Sequence, residues 1–354
     1  MIFEGKRILV TGATGSMGKT FVRRVLTGEH GIPSKIIALS RDEAKQHEMR
    51  SHYLHRMAAT DEIIYRNFLN VLEFRIGDVR DYADVRSAVR NADIVINAAA
   101  LKQVPTCEYF PNQAVLTNCF GATNIVRAIE ENGFPVETVV AVSTDKACKP
   151  VNVMGMTKAV QERIITAANV LNPKTRFIGV RYGNVLASRG SVVPLFHNQI
   201  RGGGPVTVTV PEMTRFLLSL DEAVETVFTA IRESKPGEIY VPNAPATTVM
   251  NLARALIGER DIDIVVTGIR PGEKLHEIMI SDEEAPRVSS RGAYFAIRPM
   301  LPELDSGSDE TSPIHKEFSS SDTVLDLDGT IDLLHRHKLL VGDFDADQTG
   351  DLLR

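Results

Sequence analysis

The chain of 354 residues predicts an α/β fold, a doubly wound parallel sheet followed by a smaller, mixed C-terminal subdomain. Three observations predict it. Short apolar strands alternate with helices through the first half, which implies parallel pairing through right-handed crossovers. A glycine-rich turn, Gly12 to Gly18, stands between the first strand and the first helix. After about Tyr182 the alternation breaks down and loops gather Gly and Pro, as in Arg201-Gly202-Gly203-Gly204-Pro205.

Arg7-Ile8-Leu9-Val10-Thr11 is the first strand and Lys19–Leu26 the first helix. Ile36–Leu39 is the second strand. The long segment Glu48–Asn67 before the third strand reads as an inserted helix with a surface role. Strands over Val71–Ile76, Ile94–Ala98, Thr138–Val142 and Phe177–Val180 follow. Helices over Tyr82–Asn91, Pro111–Glu131 and Met156–Asn169 separate them. Beyond Tyr182, helices are expected over Asp221–Arg232 and Asn251–Ile257, in a subdomain laid over the carboxyl ends of the sheet. Asp305–Asp322 is rich in Ser, Asp and Glu and reads as a poorly structured arm, ahead of a last helix near Ile331–Leu340.

Composition excludes several function classes. Apolar content of 43% and charged content of 24% are those of a globular protein. The net charge of −5 argues against a nucleic-acid partner, which needs a basic face. No apolar run reaches membrane-spanning length, and Met1-Ile2-Phe3-Glu4-Gly5-Lys6 lacks a signal-peptide core, so a cytoplasmic protein with no membrane partner is expected. Cys107, Cys119 and Cys148 have no CxxC spacing, and neither His52/His55 nor His335/His337 has further ligands close by. No metal site is expected.

Gly12-Ala13-Thr14-Gly15-Ser16-Met17-Gly18 follows a strand and opens a helix. In that setting glycines let the backbone approach a pyrophosphate lying at the helix N-terminus, the Rossmann dinucleotide site. Strand two ends in Ser40-Arg41 where an NAD enzyme usually places an acid, and these side chains suit a 2′-phosphate. NADP is therefore the expected cofactor, with a surface arginine capped by Asp42 as the alternative. Asp78-Val79 is expected to bracket the adenine. The small side chains of Ala98, Ala99 and Ala100 leave room for the nicotinamide half. The expected division is a dinucleotide-binding domain over 1–182, a substrate subdomain interleaved with it over 183–300, and a C-terminal arm and helix over 301–354.

Ser143-Thr144-Asp145-Lys146-Ala147 closes a strand, and Met154-Gly155-Met156-Thr157-Lys158 follows, with the lysine on the next helix. This resembles a short-chain dehydrogenase active site, except that Met154 stands four before the lysine, where a tyrosine is expected. A thioether cannot exchange a proton. Either the site is inactive, or another residue handles the proton, and Asp145 and Lys146 are the candidates.

At these residues the chain resembles the extended short-chain dehydrogenase/reductases, and within them the UDP-N-acetylglucosamine 4,6-dehydratases of bacterial polysaccharide and nonulosonic-acid biosynthesis. Further phrases carry the resemblance: Ala98 to Pro105, Val153-Met154-Gly155, Arg181 to Val185, Ser188 to Val192, Met213 to Phe216 and Arg270-Pro271-Gly272-Glu273-Lys274. They cover roughly residues 5–300. Some members of that family also have methionine in the tyrosine slot.

The resemblance implies a hydro-lyase cycle in which the sugar is oxidised at C4, loses water across C5 and C6, and regains hydride at C6. It implies that Lys158 holds the nicotinamide ribose, Thr144 bonds the C4 oxygen, Asp145 protonates the departing C6 hydroxyl and Lys146 takes the C5 proton. The base has to be a neutral amine, which Lys158 and an oxidised nicotinamide nearby would favour. A carboxylate would act the other way, so Asp145 is expected to be protonated or to orient. Asn184 and Arg215 resemble the family's diphosphate contacts, and Arg270 and Glu273 its phosphate and ribose contacts. Lys102 and Arg189 are further substrate-side candidates. The resemblance also implies a homo-oligomer. The reading is an inverting UDP-GlcNAc dehydratase. A retaining dehydratase, a UDP-hexose 4-epimerase and a non-catalytic NADP-sensing protein are the alternatives.

Overall fold

The structure, a computed structural model, describes residues 1–54, 62–186, 188, 190–305 and 312–342. The first half contains β1 (Arg7–Thr11), β2 (Lys35–Ser40), β3 (Leu72–Ile76), β4 (Ile94–Asn97), β5 (Thr138–Thr144) and β6 (Arg176–Tyr182). The helices among them are α1 (Ser16–Leu26), α2 (Glu43–Leu54), α3 (Glu62–Val71), α4 (Tyr82–Val89), α5 (Val104–Tyr109), α6 (Pro111–Ala114), α7 (Gly121–Asn132) and α8 (Val153–Leu171). Then follow β7 (Asn184–Val185), β8 (Val206–Val208), β9 (Thr214–Leu218), β10 (Ile239–Pro242), β11 (Ala246–Thr248), β12 (Ile264–Val266), β13 (Ile278–Ile280), β14 (Val288–Arg291), β15 (Tyr294–Ile297), β16 (Phe318–Ser319) and β17 (Val324–Leu325). Their helices are α9 (Val192–Arg201), α10 (Leu220–Glu233), α11 (Val249–Ile257) and α12 (Leu327–Arg336).

The main sheet runs β14-β15-β10-β6-β5-β4-β1-β2-β3. From β3 to β10 every neighbour is parallel, and β15 and β14 close the edge antiparallel. The order reverses between β1 and β4, which makes the crevice at their carboxyl ends the ligand position of such a sheet. Continuous apolar strands are what a sheet covered on both faces requires. In β1, Ile8 and Val10 enter a core with Phe21, Val25 and Phe228, while Leu9 enters the opposite core with Val85, Ile125 and Ile129.

The smaller unit holds the four-stranded sheet β17-β11-β9-β7 and a third core built from α9, α11 and α12. The chain passes between the two units more than once. A cut at residue 182 would leave β10, β14 and β15 apart from the sheet they complete.

Several elements differ from the sequence expectation. The segment 48–67 falls into α2 and α3, with residues 55–61 outside the described residues. It is more than a surface insertion. Tyr53 and Phe68 stack at 5.1 Å in the first core, and Asn67 Nδ2 donates to Leu26 O at 2.8 Å. Helix α8 begins at Val153 rather than Met156 because Asn152 caps it, accepting from Gly155 N at 2.8 Å. The helix expected over 111–131 is interrupted by a π-helical turn at Val115–Phe120. Inside that turn the Asn118 amide is caught between the Leu101 backbone, at 2.8 and 3.0 Å, and Thr157 Oγ1 at 2.9 Å.

The arm is the largest correction. Residues 306–311 lie outside the described residues, but 312–322 are packed rather than loose. Strand β16 pairs with β13, β17 pairs with β11, and Leu333, Leu334 and Leu339 fill the third core. Helix α12 ends at Arg336, earlier than expected. Among the described residues no helix is long and apolar enough to cross a membrane.

Candidate active site

The glycine turn meets the carboxyl end of β4. Gly12 has φ +67°, and a Cβ there would lie 2.8 Å from the Ala99 backbone, so a side chain at this position is excluded. Gly15 occupies the cap position of α1 and offers no side chain to its first amides, leaving them for an anion. Ser16, Met17 and Gly18 form that first turn, and it contains no acid. Thr11 Oγ1 ties β1 to β4 by donating to Asn97 Oδ1 at 3.0 Å and accepting from Ala99 N at 3.2 Å. These are the features a dinucleotide diphosphate needs, so the residues present fit that cofactor.

At the end of β2, the Ser40 and Thr14 hydroxyls lie 2.9 Å apart. Arg41 stays exposed, with Asp78 Oδ2 at 3.9 Å. Asp42 is turned to its own helix, where it accepts from Lys45 N and pairs with Lys45 Nζ. The acid that follows Ser40 and Arg41 is thus engaged by Lys45. Burial pushes the Asp78 carboxyl up, but Arg80, bound to it at 2.5 Å, outweighs that and holds it below its ordinary value. The Val79 carbonyl accepts from Asn124 Nδ2 at 2.9 Å. Ala98 and Ala99 line the same edge, next to Gly12, and Ala100 follows them.

Lys158 and Met154 share one face of α8, four residues apart. Lys158 Nζ donates to Val142 O at 2.6 Å and to Gln161 Oε1 at 2.7 Å, so one of its three N–H groups is left for a ligand. Burial lowers its proton affinity to about 8, against a smaller opposing pull from Glu162. Met154 is buried with Cys107 and Ala114 against Leu101, Val104 and Val153. Its slot is apolar. A Met154→Leu change nearly conserves volume and should cost under about 1.5 kcal/mol of stability. It should leave turnover largely intact. Loss of turnover with normal folding and dinucleotide binding would reveal a role for the thioether.

Thr144 ends β5, and Asp145 and Lys146 form the turn after it. Gly155 lets α8 close on this turn, because a Cβ there would collide with the Lys146 carbonyl. Thr144 Oγ1 donates to Asp145 Oδ1 at 2.9 Å. Lys146 Nζ donates to Asp145 Oδ1 at 3.0 Å and to Asn184 Oδ1 at 3.1 Å, and Glu277 Oε1 lies 3.3 Å away. Asp145 and Glu277 are both buried, and the second oxygen of each has no partner.

The electrostatics correct one expectation. The sequence suggests a Lys146 amine kept neutral by burial or nearby cations and opposed by Asp145, and the structure adds a second carboxylate, Glu277, against it. Burial opposes its charge, but Asp145 and Glu277 together hold it above the ordinary lysine value. Burial raises the Asp145 carboxyl, and although Lys146 pulls it down, Glu277 adds to the rise. Burial would raise Glu277 too, but Lys146, Arg215 and Lys274 keep it low.

The predicted substrate residues are only partly brought together. Asn184 and Arg215 join the cluster. The Arg215 guanidinium sits among the carbonyls of Thr214, Lys274 and Leu275, with Nε 3.9 Å from Glu277 Oε1. Glu273 is half-buried, with Oε2 unpartnered. Arg270 and Lys102 are exposed, and Arg189 lies outside the described residues.

Three residues of this region are invisible to the sequence reading. Glu277 lies three beyond the Arg270–Lys274 phrase, and its proximity to that phrase was the only available signal. Ser320 comes from the arm. It is buried, its Oγ lies 2.6 Å from Thr214 Oγ1, and it accepts from Glu277 N at 2.9 Å. Arg181 stands in the Arg181–Val185 phrase, but its task is visible only in the fold. Its guanidinium is buried between Glu162 and Glu284, and Ser143, next to Thr144, donates to Glu162 at 2.5 Å.

Residues 8–299 match the family described as polysaccharide biosynthesis protein. A protein of Campylobacter jejuni named UDP-N-acetylglucosamine 4,6-dehydratase (inverting) is 43% identical over 311 residues, covering 87% of each chain. A protein of Rickettsia bellii named UDP-glucose 4-epimerase is 42% identical over 301 residues, covering 84% of each. Among solved structures, Pen from Bacillus thuringiensis superposes with a TM-score of 0.85 at 32% identity, covering 96% of this chain and 100% of that one. DesIV, a dTDP-glucose 4,6-dehydratase from Streptomyces venezuelae, superposes at 0.64 and 21% identity, covering 76% and 86%, and shares the fold. With the family match spanning most of the sheet and the whole Asp145–Lys146–Lys158 site, the chain belongs to the polysaccharide biosynthesis protein family.

Proposed function

We propose that the protein is an NADP-dependent UDP-N-acetylglucosamine 4,6-dehydratase that inverts C5. The observation that carries this reading is the buried, hydrogen-bonded Asp145–Lys146 pair beside Lys158, with an apolar Met154 in place of a phenol. Elimination across C5 and C6 needs a base and an acid within the same small volume, and this pair supplies both. The name of the Campylobacter relative supports the substrate and the stereochemistry.

The residues divide the work as follows. Lys158, with its spare N–H, holds the nicotinamide ribose. Thr144 bonds the C4 oxygen, and as C4 is oxidised the hydroxyl proton passes along the 2.9 Å hydrogen bond from Thr144 Oγ1 to Asp145. Once C4 is a ketone, the C5 proton is acidic enough for an amine, and Lys146 takes it. Asp145, its proton affinity raised by burial, gives a proton to the departing C6 hydroxyl. Held by the Gly12–Gly18 turn and by Lys158, a bound dinucleotide would supply the redox chemistry needed at C4 and C6. Arg215, Asn184, Arg270 and Glu273 orient the UDP moiety, which fixes the hexose for reaction. The division into a dinucleotide domain, a substrate subdomain and a C-terminal arm belongs to this reading. So do a cytoplasmic location and a homo-oligomer. Exposed Tyr109, Phe110, Phe120, Met156 and Val160 on neighbouring helices support assembly.

A second reading, UDP-hexose 4-epimerase, is favoured by the Rickettsia relatives. Epimerisation needs proton transfer at the C4 oxygen only, and a base for C5 beside the acid would then have no task. Incubation with UDP-GlcNAc followed by mass spectrometry separates the two readings, because only the dehydratase loses water.

NADP is favoured by Ser40 and the exposed Arg41, with Asp42 turned away. Arg41→Ala should weaken NADP binding by roughly tenfold or more, the scale of one charge-assisted contact, and leave NAD binding nearly unchanged. Fluorescence titration with both cofactors checks this. Equal losses for both would remove the 2′-phosphate role.

A further inference from the structure

Glu277 stands out among the buried ionisable groups outside the proposed acid–base pair. Its Oε1 is 3.3 Å from Lys146 Nζ, and its Oε2 is buried with no partner. Its backbone is fixed by the arm on both sides. Glu277 N donates to Ser320 Oγ at 2.9 Å, and Ser320 N donates to Glu277 O at 2.8 Å. The charged groups that face it are Lys146 and Asp145 from the turn after β5, Arg215 from β9, and Lys274. The neighbouring His276 turns its Nδ1 to Thr214 Oγ1 instead.

We propose that Glu277 is a positioning residue for Lys146, a fixed buried carboxylate that holds Nζ against Asp145 and keeps the mobile proton of the Asp145–Lys146 pair inside the site. This rests on the assignment of Asp145 and Lys146 as acid and base.

The reason is a proton count. The form that eliminates water has a neutral Lys146 and a protonated Asp145. It differs from the charged pair by one proton moved along the 3.0 Å hydrogen bond between them. In that transfer an N–H bond of Lys146 breaks, its electron pair stays on nitrogen, and an O–H bond forms on Asp145. Taking the C5 proton onto Lys146 and giving the Asp145 proton to the leaving hydroxyl restores the charged pair, so no net proton is needed from solvent. The scheme works only while the pair retains its single proton. A negative charge 3.3 Å from Nζ opposes loss of that proton to solvent. Removing the Glu277 charge lowers the proton affinity of Lys146, and it also lowers that of Asp145. Both edges of the active pH range then move toward acid.

The test uses the full-length protein and compares wild type, Glu277→Gln and Glu277→Asp. The Lys146 side chain is 22% exposed, so acetic anhydride can reach it, and it reacts only as the neutral amine. Peptide mass spectrometry then reads acetylation of Lys146 against pH. The onset in Glu277→Gln is expected at least about one pH unit below wild type, a tenfold loss of proton affinity, with Glu277→Asp close to wild type. The rate of water loss from UDP-GlcNAc should decline at a correspondingly lower pH on the alkaline side. A merely structural defect would reduce the rate equally at all pH values and leave the acetylation onset in place. An unchanged onset in a folded Glu277→Gln protein overturns the proposal. A shifted onset in a protein whose wild type removes no water would keep the charge relation and refute the assigned reaction.

Discussion

Lys146→Ala is expected to reduce water loss from UDP-GlcNAc by about 10²–10⁴-fold, the usual contribution of a positioned base. Oxidation at C4 precedes loss of the C5 proton, so the variant should still show near-ultraviolet absorbance of the reduced dinucleotide after substrate is added. That absorbance also shows that the variant folds and binds both ligands, although Asp145 and Glu277 have lost their shared cation. Asp145→Asn should block the same step, because an amide is a poor acid. A Lys146→Ala enzyme that releases product at near wild-type rate would remove Lys146 from the base role and make Lys102 the next residue to test.

Arg181→Met should produce the largest loss of stability. All five guanidinium N–H groups are engaged: Nε and Nη2 on Glu162, Nη1 and Nη2 on Glu284, and Nη1 on Met279 O. The residue is 1% exposed. Removing it leaves two buried carboxylates without their cation, which costs about 3–5 kcal/mol. Thermal denaturation should show a fall in Tm of about 4–7 °C. The same variant should change the response to acid. Burial would raise Glu284, but Arg181 holds it down at about 2, against an ordinary value of 4.5. Its stabilising contribution is therefore full above the unfolded value of 4.5 and is lost as pH falls toward about 2. In Arg181→Met this part of the acid dependence should disappear. A Tm within a degree or two of wild type would show that the network adds little.

Much of this protein is legible in its sequence. Strands buried on both faces read as uninterrupted apolar runs, so β1, β2, β4 and β5 are visible without partners. The glycine turn, Asp145–Lys146 and Lys158 lie in short segments whose order already implies their proximity. What stayed hidden depends on distant pairing. Ser320 reaches Thr214 across 106 residues, and nothing in a Ser-rich segment signals which serine is buried. Glu277 looks like any loop acid until β13 and β16 carry it to Lys146. The interruption of the helix at Asn118 follows from a side chain bound to Leu101 and Thr157, a tertiary contact that overrides helical pattern. Placing a carboxylate on each side of Lys146 also changed the chemistry. Local sequence shows cations and one carboxylate, Asp145, near the amine, and the fold adds Glu277 as a second acid.

The most direct test of the proposed dehydratase is a single incubation of the NADP-loaded protein with UDP-GlcNAc in deuterated water, read by mass spectrometry. Elimination replaces the C5 proton from groups that exchange with solvent. The product should therefore have lost one water and carry deuterium at C5. A product of unchanged sugar mass without deuterium, with the C4 configuration altered, would contradict it and establish the epimerase reading.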